Sequence, residues 1–174
     1  MKKIILLILI STCTFQLNAQ KNALEKIDFI IGNWEGTGTG FSNSTSIISA
    51  SYNYIMDAKY IEVKHESHFK PTENNREGEH HIDKGFISFD TSRNSIIYRQ
   101  FNNEGYINQY VLNDRLSNTK TLIFETEKIE NFVPGGKARL TINKINDNEI
   151  ETIFDVSFPN KVYSCFGTNK LTKQ

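Results

Sequence analysis

The side chains of this 174-residue sequence that stand out as able to do chemistry are few: the four histidines, and Cys165 and Arg99 set among apolar residues. The histidines are His65, His68, His80 and His81. His80 and His81 are adjacent, and neighbouring residues of a strand point to opposite faces, so the pair does not readily chelate one ion. A metal would need His81 together with His65 from the neighbouring strand, and no third ligand is fixed by spacing. His81 and His65 therefore read as polar residues of a pocket, with a surface histidine as the alternative, and no metal site is expected. Cys165 could act as a thiolate ligand, which needs a lowered pKa and a protected setting. The alternative is a small buried apolar residue. Arg99, in "SIIYRQF", shares a face with Ile97 and Phe101. If that face is the inner one, Arg99 can grip a ligand carboxylate through two parallel hydrogen bonds; if the register is reversed, it is an outer charge. There is no serine elbow, no pair of inward carboxylates and no cysteine with a nearby histidine, so no catalytic constellation emerges.

The elements that must position these residues are nearly all strands. From "STSIISASYNYIM" and "KYIEVKHESHF" to "EIETIFDVSF" and "KVYSCFGTNKL", ten strand-like runs follow one another, counting the one that contains Trp34. Short clusters of Asn, Asp, Gly and Pro such as "DTSRN", "NNEG", "PGG" and "NDN" separate them, residues that tolerate turn geometry. Short turns make neighbours antiparallel. The only long connection is the polar Lys70 to Glu79 segment, so few crossovers are available for a sandwich. The expected fold is all-β: a ten-stranded antiparallel up-and-down barrel, closed by a short N-terminal helix, with room inside for a ligand.

Period-two alternation assigns the faces. "EIETIFDVSF" sets Ile150, Thr152, Phe154, Val156 and Phe158 on one side. "YIEVKHESHF" aligns Ile61, Val63, His65, Ser67 and Phe69, so a histidine and a serine join an otherwise apolar row. In "FIIGNWEGTGTGF" a lone tryptophan, Trp34, precedes Gly36, Gly38 and Gly40 at alternate positions. Such spacing empties one face of a strand and lets another backbone or a ligand approach. Upstream, "NALEKIDFIIG" is the one helical pattern, with Leu24, Ile27, Phe29 and Ile30 mostly on one side and Gly32 at its stop.

Composition narrows the setting. "MKKIILLILISTCTFQLNAQ" has two lysines, an apolar run from Ile4 to Ile10 and a small residue at Ala19, the layout of a secretory signal. Residues 1–19 are expected to be removed, leaving a periplasmic or secreted domain of residues 20–174 without a transmembrane segment. A lipid anchor on Cys13 is the competing reading, and Thr12 is a poor small residue for it. The remaining domain carries eighteen basic and twenty acidic residues and has no basic block, which argues against nucleic acid as a partner. Only Cys165 survives cleavage, so stability must come from packing rather than an internal disulfide.

Two segments together resemble the motifs of one family. "IGNWEGTGTG" resembles the GxWxGxG signature of the nitrobindin family, haem-binding ten-stranded barrels related in shape to lipocalins and fatty-acid-binding proteins. "HIDKGF", with His81, Asp83 and Gly85, is similar to that family's H-x-E-x-G-aromatic segment. The resemblance implies a barrel floor built on Gly32, Trp34, Gly36 and Gly38, and a pocket near His81. It also implies ferric haem held by a histidine of the last strand. Here that strand, "KVYSCFGTNKL", has none, and Phe166, beside Cys165, falls where the ligand is expected. The leading expectation is therefore a barrel that holds a small apolar molecule. The alternative is a haem-binding peroxynitrite isomerase of nitrobindin type, with His81 on the distal side.

Overall fold

The computed structural model describes residues 23–40, 44–71 and 76–174. The expected signal segment, residues 1–19, lies outside them. Ten strands run β1 (Gly32–Thr39), β2 (Thr45–Ile55), β3 (Tyr60–Phe69), β4 (Glu79–Asp90), β5 (Ser95–Asn102), β6 (Ile107–Leu112), β7 (Thr121–Glu130), β8 (Lys137–Asn146), β9 (Glu149–Ser157) and β10 (Ser164–Lys173). Each pairs with its successor, and β10 pairs with β1, so the sheet closes into the expected antiparallel ten-stranded barrel. Closure leaves no unpaired sheet edge.

Residues 23–25 are helical and lead through a turn into a 3-10 helix, Asp28–Ile30. This is shorter than the run from Asn22 to Gly32 that the sequence pattern suggests. Ile31 is already extended at its C-cap, and Gly32, at φ +132°, turns the chain straight into β1. Leu24, Ile27 and Ile30 are fully buried and plug one end of the barrel. Beneath them lie Trp34, Ile61, Ile96, Leu122 and Ile142, the apolar floor of the interior. Trp34 is 1% exposed, and its indole N–H donates to the Ile30 carbonyl at 2.7 Å, which ties the plug to β1. Tyr54 donates to the Asp28 carboxylate from the next strand, and the Lys173 ammonium lies 5.4 Å from the Trp34 ring centre.

The seam between β1 and β10 needs bare backbone. A Cβ on Gly36 would stand 1.9 Å from the Lys170 carbonyl oxygen; between β4 and β5, likewise, one on Gly85 would stand 2.1 Å from the Arg99 carbonyl oxygen. Trp34→Ala removes the largest floor side chain and the hydrogen bond to the plug. It is expected to cost about 3–5 kcal/mol, read as a lowered denaturation midpoint in chemical unfolding. A midpoint unchanged within error would show that the plug and floor contribute nothing to stability.

Candidate functional site

Above the apolar floor the inward positions change character. The inner row of β3 is Ile61, Val63, His65, Ser67 and Phe69, and the inner row of β4 includes Asp83, Gly85 and Ile87. His65 and Asp83 are direct cross-strand partners, with Nδ1 and Oδ2 3.8 Å apart. On the far side of the seam, Asn169 of β10 donates to Thr152 Oγ1 of β9 at 2.9 Å. The same amide nitrogen lies 3.3 Å from His65 Nε2. β1 and β2 stand between β3 and β10, so this contact spans two strands. Gly38 makes the reach possible: a Cβ there would sit 2.2 Å from Asn169 Oδ1. Because the amide donates to Nε2, the imidazole proton belongs on Nδ1, facing Asp83.

Three tyrosines complete the belt. Tyr52, Tyr98 and Tyr110 are buried, and the Tyr110 hydroxyl donates to Gln100 Oε1 at 3.2 Å, which also accepts from Asn108 at 3.0 Å. Burial raises the pKa of all three phenols, and the nearby Asp83 carboxylate adds to the rise. Among the described residues the Tyr52 and Tyr98 hydroxyls make no side-chain hydrogen bond and Asp83 has only the 3.8 Å approach of His65, while no sealed side-chain polar atom lacks a partner. These groups must therefore open onto space that water can enter. Asp83 fits that description: it lies deep in the barrel yet keeps 24% of its side chain exposed.

Burial also sets the protonation of the acid and the imidazole. Desolvation pushes the Asp83 carboxyl up to about 6, partly offset by His81, and pushes His65 down to about 4 despite the pull of Glu66. At neutral pH the interior thus holds a neutral imidazole beside a carboxylate that ionises only near pH 6.

The residues singled out by sequence are scattered. His65 is inside the belt. His81 is at the rim, where its two ring nitrogens meet Glu104 and, at 2.9 Å, Glu79, and its ring meets Phe69 edge-on. Arg99 is on the outer wall, with Nη1 3.3 Å from Ser88 Oγ, so the second of its two possible registers holds. The inward row of β5 is Ile96, Tyr98 and Gln100; β5 carries apolar residues on both faces, which hid its phase. Cys165 is exposed and pairs with Asp155, an outward residue bound to Arg139 at 2.8 Å. Phe166 is the extra residue of a β-bulge, and its ring lies 6.2 Å from Phe158 in a chain of rim aromatics that continues through Phe132 to Tyr106. Neither Cys165 nor Phe166 belongs to the polar belt. The belt residues that sequence reasoning missed are Asp83, Asn169, Thr152, Tyr52, Tyr98 and Tyr110. Asp83 sits inside the "HIDKGF" segment, so its place beside a histidine motif was the available signal.

Haem of the kind the family resemblance implies does not fit these residues. The side chains on the inward face of β10 after the bulge are Asn169, Leu171 and, at its end, Lys173, which offer no imidazole or thiolate. The interior imidazole, His65, has its Nε2 turned to that same wall and engaged by Asn169, so no face remains between them for a macrocycle.

No family model matches the chain, and no curated protein matches it. Among solved structures it is similar to Rv2717c from M. tuberculosis, with a TM-score of 0.61 and 11% identity over 87% of this chain and 97% of that one. EF1p2_mFAP2b bound to DFHBI matches with a TM-score of 0.46 and 12% identity, over 86% of this chain and 97% of that one. A de novo designed fluorescence-activating β-barrel matches with a TM-score of 0.44 and 10% identity, over 84% and 95%. At such identities the likeness to Rv2717c speaks for the barrel fold alone.

The acid and the imidazole give opposing pH slopes. Unfolded His65 takes a proton below about pH 6.5 that the folded chain refuses until about 4, so its burial stabilises increasingly as pH rises through that window. Folded Asp83 keeps its proton up to about 6, whereas an unfolded aspartate loses it near 4, so its contribution falls as pH rises. Asp83→Asn should leave the His65 slope unopposed, with unfolding free energy rising more steeply than wild type between about pH 4 and 6.5. His65→Gln should do the reverse. Parallel curves for all three proteins, measured by denaturant titration, would contradict the assigned protonation states.

Proposed function

We propose that this chain is an exported small-molecule-binding barrel whose ligand is an apolar molecule bearing a hydrogen-bond donor. The observation that carries the reading is a set of polar groups inside the barrel without a hydrogen bond to another side chain: the Tyr52 and Tyr98 hydroxyls and the Asp83 carboxylate, whose neighbour His65 Nδ1 stays 3.8 Å away. A barrel packed solid by its own side chains would seal such groups at a cost of about 1–3 kcal/mol each, and among the described residues no sealed side-chain polar atom lacks a partner. A ligand donor on Asp83 supplies the missing bond. The apolar part of the ligand is supported by the aliphatic walls around the belt, Ile48, Val63 and Ile87, and by the aromatic rim. Among the described residues no interior group is placed as nucleophile and base, and the reading offered is binding.

Displacement of an apolar fluorescent probe tests the proposal. A long-chain amine or alcohol should displace it better than the fatty acid of equal length, whose carboxylate meets Asp83 as a like charge. Asp83→Asn should weaken amine binding about tenfold, in line with a hydrogen bond to a charged group. Amine binding should also weaken as pH falls through about 6, where Asp83 takes up its proton. Equal displacement by amine and fatty acid, untouched by Asp83→Asn, would sink the assigned role of the belt.

Export rests on the lysine-led apolar segment of residues 1–19. The first residue of protein recovered outside the cytoplasm is expected to be Gln20. A first residue of Cys13 would mean a lipid-anchored form instead.

A further inference from the structure

We propose that Glu66, His68 and His80 form a binding site for a zinc-class divalent metal ion on the outer wall of the barrel, separate from the interior belt. Adjacency in sequence pairs His80 with His81, which point to opposite faces. The β3–β4 register creates a different pair, since His68 and His80 are direct cross-strand partners on the outer face. Glu66 is two residues before His68 on β3 and therefore shares that face. The three donor atoms lie within 4.8 Å of one another.

The geometry goes beyond proximity. Both imidazoles present Nε2 to one oxygen, Glu66 Oε2, at 3.6 Å from His68 and 3.4 Å from His80. A tetrahedral zinc ion with bonds near 2.0–2.1 Å separates its ligand atoms by about 3.3 Å, so these two edges are already of the right length. The two rings are stacked with centres 3.9 Å apart and planes 18° apart, so closing the third edge takes a small rotation of the rings about their side-chain bonds. Lys64 pairs with the other carboxylate oxygen, Oε1, which orients the group and leaves Oε2 toward the histidines.

The donor set selects the ion. Two imidazole nitrogens and one carboxylate oxygen suit Zn²⁺ and its neighbours, whereas Ca²⁺ and Mg²⁺ demand oxygen ligands. Three protein ligands leave a fourth position for water. His68 and His80 are 54% and 43% exposed, so an ion can reach the site from solution. A bound ion would clip β3 to β4 at the end where their connection leaves the barrel.

Calorimetric titration of Zn²⁺ into the protein, purified without a polyhistidine tag, tests this, with four-coordinate Co²⁺ absorption as a second readout. One ion per chain is expected, with affinity reduced at least about tenfold in His68→Ala and in His80→Ala, since each loses one of three ligands. Glu62→Gln, a carboxylate on the same face of β3 outside the cluster, should bind as wild type does. Thermal melts with and without Zn²⁺ keep the test independent of small changes in the variants' own stability: wild type should gain in melting temperature on adding metal, and the two histidine variants should not. Zn²⁺ binding that is absent in wild type, that survives in the His68→Ala/His80→Ala double variant, or that falls equally in Glu62→Gln, would overturn the assignment.

Discussion

The barrel depends on one close approach, that of β1 to β10. Nine of the ten strand pairings join consecutive strands, and the tenth closes the sheet. At that seam Gly36 lies against the Lys170 carbonyl so tightly that a methyl group could not be accommodated without moving backbone. Gly38, one inward position further along, leaves the gap through which Asn169 reaches His65. The same side-chain-free stripe thus serves closure in one place and the interior polar contact in the next. Without it, the floor around Trp34 would lose its enclosing wall, and the belt its link across the barrel.

The architecture was legible because strand alternation and turn composition are local signals. Every connection carries residues suited to turns, and rows such as Ile61, Val63, His65 and Ser67 declare which way they face. Legibility failed where the deciding fact is non-local. Ile96 and Ile97 are both fully buried although they point to opposite faces, so the phase of β5, and with it the side of Arg99, could not be read from hydrophobicity. The bulge at Phe166 slips the register of β10 by one residue, and a single-residue slip moves side chains to the opposite face. Asn169 and Thr152 look like ordinary strand polars until closure brings them opposite His65. The outer His68–His80 pair likewise exists only through the register that the β3–β4 connection imposes.

Two layers of different chemistry share the interior. The lower one is aliphatic and aromatic and is sealed by the plug; the upper one holds an acid, an imidazole and phenols whose ionisation is suppressed by burial. The pairing of a raised carboxyl with a depressed imidazole keeps the interior uncharged between about pH 4 and 6 and gives it a single negative charge above that range. A ligand meets a different interior on either side of that boundary, while the walls that enclose it stay the same.

The hairpin order of the barrel also bears on how the chain reaches this state. Pairings between consecutive strands close short loops, whereas joining β1 to β10 closes a loop of nearly the whole domain, so its entropic cost is the largest of the ten. The seam is therefore the step that the remaining hairpins must precede, and until it forms the curved sheet carries two unpaired edges. Those edges are not equally exposed to mispairing. β10 carries Lys170 and Lys173 on its length, charges of the kind that discourage a foreign strand, whereas β1 has glycines and threonines and a single carboxylate, Glu35. The glycines that permit closure thus leave the first strand the less guarded edge until the seam is made, and in the folded barrel the Leu24–Ile30 plug is tied to that strand through Trp34.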